Sequence, residues 1–316
     1  MTHHFCSITD KNFLVRLLAL HESLIKLGAP FKLWTLCLDQ ESYEILNSIG
    51  SNVIAIKLAD LNDAELEAVK SSRRPNEFAW TCKPSLILNV LSKIGAGDII
   101  TYVDADIYFY SSPIVDIEPV QDWSIIVTPH RFPDHREQQE KYKGRYNAGL
   151  ITFRATTSSG MCLDHWRKQC LDWCFSYYDN GRLADQLYLN EWKTKYSGVV
   201  EAPITWNVGP WNICELNVTA ASGGIFSIGD KPIVCYHFHG FKIYLDKKGH
   251  MHPYPITVFN WDIYNNYTEA LKRCYKIILD IKSTWNSGFS NRLDLFRRLK
   301  QFVMLALRNT KQKSFL

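Results

Sequence analysis

Apolar and polar positions alternate in blocks along the first part of the chain. Short apolar runs at 5–8, 31–38, 53–56 and 99–103 read as buried strands, and apolar residues between them recur at helical spacing. Leu14, Leu17, Leu18, His21, Leu24, Ile25 and Leu27 mark one helix that stops at Gly28, with Thr9 or Asp10 as its N-cap. Further helices are expected over 42–49, 63–70 and 83–91. This alternation predicts a βαβ sheet with right-handed crossovers. Strands are expected again at 123–128, 146–153, 199–203 and 233–236, and helices at 161–178 and 185–192. The polar, basic stretch 129–143 lacks periodicity and reads as a loop or lid.

The tail has a different pattern. Apolar positions in 267–282 lie on one side of a helix. In 291–308 Leu295, Phe296, Leu299, Phe302, Val303, Ala306 and Leu307 form one face, with Arg297, Arg298, Gln301 and Arg308 opposite. That is the pattern of a helix lying in an anionic membrane interface; a helix packed on the domain with a solvated basic face is the other reading. The expected division is a domain over 1–245 and a helical, basic, membrane-associating appendage over 246–316.

Composition narrows this picture. A chain of 316 residues, 46% hydrophobic and 22% charged, can bury a full core. A net charge of +4 is too small to mark a nucleic-acid footprint, so no nucleic-acid partner is expected. The nine cysteines include no Cys-x-x-Cys pair, and most sit inside apolar runs, which suits reduced thiols in a reducing compartment. The start has no signal-peptide pattern and no apolar run reaches about 18 residues. A cytoplasmic protein, peripheral on the inner face of the membrane, is expected.

The candidate chemistry centres on Asp104 and Asp106, directly after the 99–103 strand. Residues two apart in extended backbone point to one side, so both carboxylates would face one crevice at the carboxyl end of the strand. Such a pair can hold Mg²⁺ or Mn²⁺, which in turn neutralises a diphosphate.

Four separated features, Asp104-Ala105-Asp106, Asn147-Ala148-Gly149, Asp185-Gln186 and His237-Phe238-His239-Gly240, occur in an order that resembles the GT-A glycosyltransferases. The pattern is most similar to glycosyltransferase family 8, the glycogenin and lipopolysaccharide galactosyltransferase type, over about residues 5–245. Together with Thr128-Pro129-His130 and the Trp206, Trp211 and Asn212 region, it also resembles bacterial surface-polysaccharide transferases. The resemblance implies an α/β fold of the GT-A type, a Rossmann-like mixed sheet flanked by helices, with the helical appendage following it. It implies transfer of a sugar from a nucleotide-diphosphate donor, UDP-sugar favoured, to a glycan or glycolipid acceptor in lipopolysaccharide or capsule-type synthesis.

Residue by residue, the resemblance implies Asp104, Asp106 and His237 as the Mn²⁺ or Mg²⁺ ligands, with His239 a competitor for the last place. Asp10, Asn12 and Phe13 would hold the nucleoside, and Lys83, Asp104 and Lys242 the diphosphate. Lys242 lies one residue nearer the His-x-x-Gly motif than in the family. Asp185, Gln186 and Asn147 would line the donor sugar, with a retaining outcome expected and an inverting one, Asp185 acting as base, as the alternative. Trp206, Trp211 and Asn212 would meet the acceptor sugar. Where the family places an acidic residue before the lid, this chain has His130. A non-catalytic saccharide-binding protein is the rival reading from another class; it would not need both Asp104 and Asp106.

Overall fold

The computed structural model describes residues 3–50, 52–113, 122–221, 224–243 and 261–290. A seven-stranded mixed sheet runs through it. The strands are β1 (His3–Thr9), β2 (Phe31–Cys37), β3 (Val53–Lys57), β4 (Ile99–Val103), β6 (Ile125–Pro129), β7 (Tyr146–Arg154) and β8 (Val199–Glu201), ordered β3-β2-β1-β4-β7-β6-β8. The first four are mutually parallel; β7 runs antiparallel to both β4 and β6, and β8 is parallel to β6. β5 (Ile107–Phe109) pairs antiparallel with β12 (Cys235–His237), and β9 (Val218–Ala221), β10 (Ile225–Ile228) and β11 (Lys231–Pro232) form a small outlying sheet.

Helices cover both faces, so the central strands are apolar on both sides. In β1, Phe5 packs toward one layer, with the helices Leu14–Lys26 and Trp261–Ile281, while Cys6 and Ile8 pack toward the other. That second layer is built from the helices Pro75–Leu91 and Thr157–Asp172. All nine cysteines are free thiols and only Cys214 is exposed.

Several boundaries depart from the sequence expectation. The helix expected at 83–91 begins at Pro75, where Glu77 accepts the Arg74 N–H at 2.9 Å and Pro75 occupies the first turn, leaving Pro84 inside the helix. The helix expected at 185–192 is a 3₁₀ turn, Leu187–Glu191, continued by the short helix Trp192–Lys195. The lid segment carries a 3₁₀ turn, Asp134–Arg136, and the helix Gln139–Lys143.

The tail helix Trp261–Ile281 belongs to the main core. Ile263, Tyr264, Tyr267, Ala270, Cys274 and Ile278 are buried in it, and Tyr267 stacks on Phe238 with ring centroids 3.7 Å apart. The core therefore does not divide at residue 245. The amphipathic stretch 291–308 lies outside the described residues. Among the described residues, no helix is long and apolar enough to cross a membrane.

Candidate active site

The cleft opens at the carboxyl end of β4. That strand stops at Val103, and Asp104 to Ile107 form a turn closed by the Ile107 N–H on the Asp104 carbonyl at 3.1 Å. Asp104 and Asp106 therefore converge through a turn rather than through strand alternation. Antiparallel pairing sets His237 opposite Ile107, and the Phe238 N–H donates to the Asp106 carbonyl at 2.8 Å, locking the two segments together. His237 Nε2 then stands 3.1 Å from Asp106 Oδ1 and 3.9 Å from Asp104 Oδ2. Burial opposes charge on this ring, but the Asp106 carboxylate outweighs it and raises the His237 pKa; Asp106 is held below the usual carboxylate range despite its own burial.

Asp106, His237 and His239 each offer a ligand atom within 4.8 Å of the others. Both histidines left open by the sequence thus reach the corner, and Asp104 borders it. Gly149 makes the corner possible: a Cβ there would lie 2.6 Å from His237 Cε1, 2.7 Å from Asn147 Oδ1 and 2.8 Å from Asp104 Oδ2. Imidazole and carboxylate donors around such a hollow fit a divalent cation of the Mn²⁺ type.

Beside this corner lies a second cluster. Lys83, 3% exposed, projects from the helix Pro75–Leu91 between two carboxylates: its Nζ is 2.9 Å from Asp185 Oδ2, 3.2 Å from Asp104 Oδ1 and 3.1 Å from the Ala148 carbonyl. Burial works against its charge, yet Asp104 and Asp185 hold it protonated, above the normal lysine value. Burial raises the Asp185 pKa, with Lys83 opposing. Lys83 donates to the Ala148 carbonyl and pairs with both carboxylates, so it orients Asp104 and Asp185 at the floor of the cleft. Asp185 is not a helix cap: Ala184 before it adopts a left-handed φ of 50°, and the Trp166 indole N–H holds the Asp185 carbonyl at 2.8 Å, turning the carboxylate inward.

Asn147 and Gln186 face each other across the same cleft, with Asn147 Nδ2 3.4 Å from Gln186 Oε1, and Gln186 Nε2 donates to the Lys143 carbonyl. His130 donates through Nδ1 to the Gly144 carbonyl at 2.9 Å, so its Nε2 accepts from Asn147 Nδ2 at 3.2 Å. Burial lowers its pKa to about 3, and it remains neutral. Trp211 lines the cleft and packs edge-on against His130, His237 and His239.

The remaining expected contacts lie elsewhere. Trp206, 1% exposed, is part of the core. The Asn212 side chain is spent on backbone, accepting from the Gly209 N–H at 3.0 Å and donating to the His130 carbonyl at 2.8 Å. Neither lines the cleft, and both serve to hold the loop that presents Trp211. Lys242 borders a separate apolar groove with Val15, Leu271, Tyr275 and Phe289. Asp10 accepts the backbone N–H groups of Asn12 and Phe13 and the Asn12 amide, which starts the first helix, and Phe13 is open to solvent beneath the Arg16 guanidinium. Gly149, named in the sequence only as part of the Asn147-Ala148-Gly149 motif, lines the cleft, and Asn207, which had no expected role, is buried behind it.

No family model matches the chain. It is 30% identical over 251 residues to the uncharacterized protein YfnD of Bacillus subtilis, covering 78% of this chain and 80% of YfnD, and 28% identical over 251 residues to YfnF of the same organism. Among solved structures it is similar to the galactosyltransferase LgtC in complex with donor and acceptor sugar analogs, with a TM-score of 0.53 and 15% identity over 85% of this chain and 95% of that one. An active-site mutant of LgtC gives a TM-score of 0.52. The chain belongs to the family of YfnD, and its mixed sheet and flanking helices are those of the GT-A glycosyltransferases.

Proposed function

We propose that the protein is a metal-dependent glycosyltransferase that moves a sugar from a nucleotide-diphosphate donor, with UDP-sugar favoured, to a glycan or glycolipid acceptor. The observation that carries this reading is that one cleft is lined by Asp104, His237 and His239 on one side and Lys83, Asp185, Gln186 and Asn147 on the other. The first set suits a cation on a diphosphate; the second suits a sugar placed next to it. The fold shared with LgtC, solved with donor and acceptor sugar analogs, supports the same assignment.

Asp106, His237 and His239, with Asp104 beside them, would hold Mn²⁺ or Mg²⁺. Such an ion offsets the negative charge that develops on a departing diphosphate. The residues around it do the rest. Lys83 fixes the Asp185 side chain next to the sugar, where a carboxylate can bind hydroxyls or stabilise positive charge at the anomeric carbon. Asn147 and Gln186 present amides that fix the sugar's orientation. A retaining outcome accords with the family 8 pattern; an inverting one would use Asp185 as base toward the acceptor. Trp211, at the wall of the cleft, offers the acceptor an aromatic surface. A role in lipopolysaccharide or capsule-type synthesis, with the basic stretch 291–308 on an anionic membrane, completes the reading, as does the placement of Asp10, Asn12 and Phe13 at the nucleoside.

The deciding experiment is a thermal-shift panel of nucleotide sugars, each with Mn²⁺ and with EDTA, since a ligand that binds the native state raises its apparent stability. A metal-dependent rise with one UDP-sugar, lost in Asp104→Ala and Asp106→Ala, is the expected result. Silence across UDP, GDP, dTDP and CMP donors would favour a saccharide-binding protein.

A further inference from the structure

Asn207 is fully buried and holds a left-handed φ of 53°, a conformation that asparagine tolerates better than most residues. Its amide lies between three side chains from distant parts of the chain. Nδ2 is 2.9 Å from Asn147 Oδ1 and 3.1 Å from Thr128 Oγ1, and Oδ1 is 3.3 Å from His237 Nδ1. The polarity of these contacts follows from the backbone. The Gly149 N–H donates to the Asn147 side chain at 2.9 Å, so the atom there is oxygen. That oxygen takes its second hydrogen bond from Asn207, which must turn its NH₂ toward Asn147 and its oxygen toward His237. His237 Nδ1 must then carry a proton.

The same polarity continues at the other end. Asn147 Nδ2 donates to His130 Nε2, and His130 Nδ1 donates to the Gly144 carbonyl. His237, Asn207, Asn147 and His130 thus form one chain of hydrogen bonds in which every member donates in the same direction, ending on a backbone carbonyl. Aligned bonds of this kind reinforce one another in a buried setting.

We propose that Asn207 is a positioning residue that sets the tautomer of His237, leaving its Nε2 as the ligand atom, and couples that ring to the amide of Asn147. The proposal rests on the reading of His237 as a metal ligand. It assigns Asn207 the part that a carboxylate or carbonyl plays behind many metal-bound histidines. It also explains why an asparagine is needed: the position must accept from one side and donate to the other.

The test uses the full chain labelled with ¹⁵N-histidine, saturated with Mg²⁺, with the His237 and His130 signals assigned through His237→Gln and His130→Gln. Both rings should carry their proton on Nδ1. Mn²⁺ affinity, read by electron paramagnetic resonance of the free ion, should fall on the order of 10- to 100-fold in Asn207→Leu. Asn207→Asp, which still accepts from His237 but can no longer donate to Asn147, should recover only part of that loss. Wild-type protein with its His237 proton on Nε2 would overturn the proposal even if Asn207→Leu fails to fold. A folded Asn207→Leu protein that binds Mn²⁺ within twofold of wild type would overturn it as well. None of these readouts needs sugar turnover, so failure of the transferase reading would leave them intact and separately visible.

Discussion

Lys83 Nζ lies 2.9 Å from Asp185 Oδ2, with both side chains about 4% exposed, so the cation and the carboxylate next to the proposed sugar site are buried together. Removing one partner from such a pair leaves an uncompensated charge, at a cost of about 3–5 kcal/mol. Lys83→Met should therefore lower unfolding stability by about that amount in urea titration. The double variant Lys83→Met/Asp185→Leu should lose less than the sum of the single changes, because neither charge is then stranded. Strict additivity would show that the two groups are not coupled.

Gly149 leads to a sharper prediction. A methyl group at this position would press on His237, Asn147 and Asp104 at 2.6–2.8 Å, and the His237 ring carbon cannot rotate away as a flexible chain end could. Gly149→Ala should cost about 1–3 kcal/mol of stability through overpacking. Displacement of site groups by about 1 Å can cost on the order of 100-fold in rate, so transfer should fall by at least that factor while circular dichroism remains native. Full activity in a folded Gly149→Ala protein would place the reacting groups elsewhere.

The His237–Asp106 pair predicts a pH dependence of the metal-free protein. His237 has its folded pKa raised above the ordinary 6.5, so the stability it contributes is complete below that value and is lost as pH rises through the folded pKa. Asp106 has its pKa depressed, so its contribution is present above the ordinary 3.8 and is lost as pH falls. In EDTA the melting temperature should decline as pH rises above the ordinary histidine value of 6.5 and through the raised folded pKa, and His237→Gln should flatten that slope. His130, with its pKa near 3, should show no titration over the same range by histidine NMR.

These sites differ in how far they can be read from sequence. The strand Ile99–Val103 and the Asp104–Asp106 pair are local: an apolar run, a turn and two carboxylates are all visible in eight residues. Trp206 illustrates the opposite case, since an aromatic residue in a loop carries no local mark of whether it faces a sugar or the core. Pro84 misleads because proline favours the first turn of a helix, whereas here the capping interaction of Glu77 starts the helix earlier. Lys83 could be placed near the cleft, but that its ammonium sits between two carboxylates depends on the inward turn at Ala184. The Asn147-Ala148-Gly149 motif marks Gly149, but the close approach of His237 and Asp104 that requires a glycine there, and the contacts that give Asn207 its role, come from far away in the chain and leave no periodicity to read.

The tail supplies the last prediction. Tyr267 stacks on Phe238, the residue between His237 and His239, and Arg273 reaches back from the same helix to Glu22 at 2.7 Å. The surface ion pair is worth at most about 1 kcal/mol, whereas burial of Tyr264, Tyr267 and Ile278 contributes several times that. A chain ending at residue 260 should therefore fail to fold, because β12 loses the layer that backs it. A chain ending at Ser290 keeps this layer and should retain its melting behaviour and its transfer to a soluble acceptor. If the basic amphipathic stretch beyond it meets a membrane, the shortened chain should lose sedimentation with vesicles rich in anionic lipid, and the full chain's binding should weaken as salt rises. Equal vesicle binding by the two chains would remove the membrane from the account and leave the transferase reading untouched.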